Sequence, residues 1–143
     1  MIKKIDLLVH GPLISKKGSI EFNCFENLKS LLRHSNIFNS VIISTWQSED
    51  SFKLEKYLKK NTFIIKSKIP IKKSFSNSNL NPSKNKYLQT YSVLKGLKFL
   101  KQLNNRNNKK NFESFVIKIR TDQKFPDYLG LIEYIKNKKI SNT

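Results

Sequence analysis

The chain has 143 residues and a formal net charge of +18, from 28 Lys and Arg against 10 Asp and Glu, with 38% hydrophobic residues. That length suits one domain, and ten Phe with five Tyr supply a core that a disordered tail lacks. The single cysteine, Cys24, excludes a disulfide framework and a Cys-based zinc site, and no apolar run reaches the roughly 18 residues of a membrane span.

The first element is Ile5-Asp6-Leu7-Leu8-Val9-His10, an apolar run stopped by Gly11-Pro12, which reads as a buried strand with a tight exit. The stretch Met1 to Gly11 is too short for a signal peptide, so a soluble, cytoplasmic protein is expected. Residues 20 to 34 place Ile20, Phe25, Leu28, Leu31 and Leu32 near helical spacing and predict a helix. Val41-Ile42-Ile43 with Ser44-Thr45-Trp46 predicts a second strand leading into a polar loop. Ser51 to Lys60 suits a short helix with Phe52, Leu54, Tyr57 and Leu58 on its apolar side, and Thr62 to Ile65 a third strand. Lys68 to Lys86, rich in Ser, Asn, Pro and Lys, predicts a long loop.

Asn85 to Leu103 is the clearest helix, and Asn104 to Asn111 a polar loop after it. Phe115 to Ile119 predicts a fourth strand that exits at Arg120-Thr121-Asp122. Asp127 to Lys138 predicts a last helix, with Asp127 suited to its N-terminus. Strands alternating with helices indicate an α/β fold: a mostly parallel sheet with helices on both faces, Rossmann-like. Ligands in such sheets bind beyond the carboxyl ends of the strands. That rule selects His10-Gly11-Pro12, Ser44-Thr45-Trp46, Ser67-Lys68 and Arg120-Thr121-Asp122.

Several residues near those ends admit two readings. At about 100° per residue, Asn85, Gln89, Ser92 and Gly96 share a sector of roughly 60°. This uncharged stripe either hydrogen-bonds a ligand or a strand end, or combines a cap at Asn85 with a packing glycine. Asp122 can hold a divalent cation or a ribose hydroxyl, or pair with Arg120. His10 is either a ligand neighbour or a satisfied structural residue. Trp46 either stacks on a base or belongs to the core.

The charge is unevenly spread. Between Lys56 and Phe112 there are 15 basic residues and no acidic one, which favours phosphate-bearing partners: a nucleotide diphosphate, an anionic membrane surface or nucleic acid. Against nucleic acid stands the scarcity of Arg, present only at 33, 106 and 120. A non-enzymatic polyanion-binding module is the alternative this charge supports.

Four segments together resemble the WavE-type lipopolysaccharide-synthesis family. They are His10-Gly11-Pro12, Ile43-Ser44-Thr45-Trp46, the series Asn85, Gln89, Ser92, Gly96 and Leu97, and Ile117-Lys118-Ile119-Arg120-Thr121-Asp122. The resemblance implies a glycosyltransferase-like protein of bacterial surface-polysaccharide synthesis with a GT-A-like fold. It implies a nucleotide diphosphate sugar bound by Gly11, Pro12, Ser44, Thr45, Trp46, Asn85, Gln89, Arg120 and Asp122, with Asp122 placed for Mn²⁺ or Mg²⁺. A lipopolysaccharide or lipid-linked acceptor would follow, with peripheral contact at the inner membrane face. Two departures are Leu88 where the family tends to have Arg, and Gln123-Lys124 where an Asp-x-Asp motif would continue. The expectation for residues 1–143 is a single α/β domain, the N-terminal donor-binding part of a longer fold.

Overall fold

The structure, a computed structural model, describes residues 2–17, 20–70, 82–106, 112–124 and 127–138. Four strands form one sheet: β1 (Ile2–His10), β4 (Ser40–Trp46), β5 (Thr62–Ser67) and β6 (Phe112–Arg120). All neighbours run parallel, in the order β5-β4-β1-β6. The expected Rossmann-like α/β class is therefore the one observed.

The central strands read as continuous apolar runs because both faces are covered, and every residue of β4 is buried. Period-two alternation divides their side chains between two cores. Leu7, Val9, Val41, Ile43 and Ile119 pack with Leu28 and Leu32 of α1 (Phe25–Arg33), Leu54 of α2 (Phe52–Glu55) and Ile132 of α4 (Tyr128–Asn137). Leu8 and Ile42 point the other way, onto Leu100, Val93 and Phe99 of α3 (Pro82–Arg106). Each fully buried aliphatic side chain contributes roughly 1.5–3 kcal/mol. A Cβ on Gly96 would collide with the Leu8 side chain, so this glycine lets α3 lie close against β1.

Three expected elements differ. Residues 20–23 are not the start of a helix: β3 (Ile20–Asn23) pairs antiparallel with β2 (Ile14–Lys17). Ile20 and Phe22 stand two apart, the strand period, and α1 begins only after Cys24, where the Asn23 carboxamide accepts from Phe25 N at 2.9 Å. The helix expected over Ser51 to Lys60 is one turn. It ends in tight bonds from Tyr57 N to Leu54 O and Leu58 N to Glu55 O, and Phe52, expected on its apolar side, is 75% exposed.

Conversely, α3 is longer than expected. Pro82 opens it, as proline is suited to a first turn, and Asn104 to Arg106 carry it into the expected loop. Residues 71–81 of the predicted Lys68–Lys86 loop lie outside the described residues. Asp127 caps α4, its Oδ1 accepting from Gly130 N at 2.9 Å. Among the described residues no helix is long and apolar enough to cross a membrane.

The strand order positions the site. The chain lays β4 beside β1 and β5 beyond it, then returns through α3 to add β6 on the opposite side of β1. The order thus reverses next to β1, and the carboxyl ends of β1 and β6 border a crevice. On the α3 face, β6 presents Val116, Lys118 and Arg120, all exposed.

Candidate functional site

The exit of β1 is tied to both neighbours by the backbone. Gly11 N donates to Ser44 O at 3.1 Å, and Thr121 N donates to His10 O at 3.0 Å. Thr121 Oγ1 donates to Pro12 O at 2.7 Å. Gly11 sits at φ 126°, and a Cβ there would lie 2.8 Å from Thr121 Oγ1. Both its conformation and its surroundings exclude a side chain. Gly11 and Pro12 thereby fasten the strand ends that frame the crevice.

The Ser44 segment is absorbed by packing. Ser44 Oγ donates to Ser92 O at 2.8 Å and Ser92 Oγ returns a bond to Ser44 O at 3.2 Å. Thr45 is fully buried, and Trp46, 7% exposed, stacks on Tyr91 with ring centroids 6.4 Å apart. The uncharged stripe of α3 accordingly divides in two. Ser92 and Gly96 face the sheet, while Gln89 lines a cavity and Asn85 is exposed outside that lining.

That cavity, of ≈ 320 Å³, is bounded by Lys86, Gln89, Thr90 and Val93 of α3, Lys118 of β6 and His10 of β1. His10 is 2% exposed, and neither ring nitrogen has a hydrogen-bond partner among the described residues. Ser35 and Thr45 also bury unpartnered hydroxyls, but His10 is the one that lines this cavity. Burial, then the charges of Lys118 and Arg120, push its pKa down from 6.5 to about 4 against the opposing pull of Asp122. The ring is neutral near pH 7, with one N–H donor and one acceptor.

At the rim, Arg120 Nε donates to Asp122 Oδ1 at 2.9 Å and Nη2 to Oδ2 at 2.6 Å, a bidentate pair. Both carboxylate oxygens are engaged by one guanidinium. Lys86 and Lys118 pair with no carboxylate among the described residues. The crevice therefore offers two ammonium groups and several neutral donors around a buried imidazole.

Elsewhere, a cavity of ≈ 220 Å³ under the β2–β3 hairpin is walled by Leu13, Leu28 and Leu54. The end of β5 borders an open hollow lined by Gln47, Ser48, Lys68 and Ile69. Neither contains an unpartnered buried side chain among the described residues.

Of the expected site residues, Gln89 lines the cavity, Gly11 and Pro12 fasten the adjoining strand ends, Arg120 and Asp122 pair with each other, and Ser44, Thr45 and Trp46 are buried in the interior. Lys86 and Thr90 escape motif reading, and Lys118 belongs to the family-like segment Ile117 to Asp122, whose implied site residues are Arg120 and Asp122. Alternation also singles out Lys118, which falls on the strand face opposite the apolar Ile117 and Ile119. No family model, curated protein or solved structure matches this chain.

Proposed function

We propose that this protein is a glycosyltransferase-like component of bacterial surface-polysaccharide synthesis. In this reading it binds the diphosphate of a nucleotide sugar in the crevice between β1 and β6. The reversal of strand order beside β1 carries the reading, because it brings two of the family-like segments, His10-Gly11-Pro12 and Ile117 to Asp122, to one basic edge. A diphosphate there would be drawn by Lys86 and Lys118 and hydrogen-bonded by Gln89 and Thr90, while Gly11 and Thr121 hold the rim rigid. Rigid framing lowers the ordering cost of binding. The acceptor in this reading is a lipid-linked sugar or lipopolysaccharide.

In this reading the charge at the diphosphate comes from lysines, because Asp122 is engaged by Arg120. To hold a divalent cation, Asp122 would have to give up both bonds from Arg120. Among the described residues no three His, Cys, Asp or Glu side chains gather into a metal-binding group. No step is assigned to a metal.

Calorimetry of the full chain with UDP-, GDP- and dTDP-sugars, in EDTA and in Mn²⁺, tests the reading. Binding of at least one donor, equal in both buffers, is expected. Absence of binding in both buffers overturns it. A gel shift with DNA and RNA across a salt series addresses the alternative, a polyanion module whose affinity falls steeply and uniformly with salt.

A further inference from the structure

We propose that the cavity between the first turns of α3 and strand β6 is an oxyanion subsite for a diphosphate group. His10 hydrogen-bonds the ligand from below, and Lys86 and Lys118 neutralise it from the rim. The inference rests on the donor-binding reading only for what the diphosphate is attached to.

Three independent observations converge on it. First, His10 is 2% exposed with both nitrogens unpartnered, in a chain that satisfies its other buried ionisable group on the same strand face. A buried polar group without a partner is destabilising, and an apolar residue would avoid the penalty. A ligand oxygen in the cavity supplies the missing acceptor. Second, no carboxylate lines the cavity, and the nearby Asp122 is already occupied by Arg120. The field inside is positive and uncompensated. Third, Thr90 and Gln89 add neutral donors, so one cavity combines the point charges and hydrogen bonds that phosphoryl oxygens accept. Its ≈ 320 Å³ lies at the small end of ordinary ligand sites.

The charged and titratable groups around His10 are Lys118, Arg120 and Asp122 from the β6 side and Lys86 from α3; its register partner on β4 is the neutral Ser44. A neutral ring donates one N–H without contributing repulsion to Lys118 when the site is empty. That explains how three basic side chains can converge there.

The test titrates the full chain, with ¹⁵N-labelled histidine, with inorganic pyrophosphate at fixed salt, by calorimetry and by NMR of the imidazole. Pyrophosphate should bind and shift the His10 ring signals. Lys118→Ala and Lys86→Ala should each weaken binding roughly ten- to hundredfold, the worth of a hydrogen bond to a charged group. His10→Gln keeps an N–H donor and should stay within roughly tenfold of the wild type, whereas His10→Leu should fall further. Unmoved ring signals, or lysine variants that bind as the wild type does, overturn the proposal. Pyrophosphate binding with these dependences but no nucleotide-sugar binding leaves the subsite standing and removes the donor reading. Nucleotide-sugar binding indifferent to Lys118→Ala and His10→Leu does the reverse.

Discussion

Asp6 and His10 stand four residues apart on one strand, on the same face, and are equally inaccessible at 0% and 2% exposure. Their surroundings are opposite. Asp6, mid-strand and level with the start of β4, accepts from Asn39 Nδ2 at 2.7 Å and from Asn104 Nδ2 at 3.4 Å. The His10 imidazole, at the carboxyl end, accepts and donates nothing among the described residues. A buried polar group with partners stabilises a fold, whereas one beside a cavity and without partners lowers stability in exchange for readiness to bind. One strand thus has a structural middle and a ligand-facing end.

This contrast can be broken at either residue. The largest expected effect belongs to Asp6→Ala, which strands the amides of Asn39 and Asn104. Urea denaturation should show a loss of about 3 kcal/mol, from the lost bonds and the two half-buried amides left without their acceptor. A loss below about 1 kcal/mol would remove Asp6 from the structural role.

Next comes pH. The His10 pKa is lowered to about 4 in the folded chain, so between that value and 6.5 the unfolded chain binds the extra proton. Stability then rises with pH across this window and is lost as pH falls through it. Between pH 7 and 5.5 the expected loss is about 1 kcal/mol by thermal or urea melts. His10→Leu should abolish that part of the dependence, and an unchanged profile would show that the ring is not held neutral.

A smaller difference separates the two amides at Asp6. Asn39→Ala should cost about 1 kcal/mol, and Asn104→Ala less, because its bond is longer. Equal losses in chemical denaturation would assign the carboxylate's support to both helix and loop alike. The smallest stability change belongs to Asp122→Ala. Its ion pair with Arg120, whose side chain is 44% exposed, should contribute no more than about 1 kcal/mol. The freed guanidinium should instead raise pyrophosphate affinity a fewfold in calorimetry, whereas a metal ligand at this position would lose binding.

Much of the architecture was legible because buried parallel strands need uninterrupted apolar runs. Ile5 to His10, Val41 to Ile43 and Phe115 to Ile119 have no other stable use in a chain this charged. The ligand edge followed from topology. What escaped were short or two-sided elements. Ile20 and Phe22 serve a strand period while Phe25 to Leu32 serve a helical one, and the shared apolar spacing hides the break at Cys24. The site divided in the same manner. Gly11 and Asp122 were visible as strand-end residues, but Lys86 and Thr90 have no local signature in a chain with 28 Lys and Arg.

The net charge, the single cysteine and the alternation of strands with helices were determined by sequence alone, since composition and period are local properties. Which end of β1 would leave a polar group unpartnered was decided only by tertiary structure. So was the turning of Ser44 and Trp46 inward against α3. Hydrogen bonds and desolvation depend on what arrives through space. Here the arrivals come from residues 82 to 106, whose long return path places one helix over both β1 and β4.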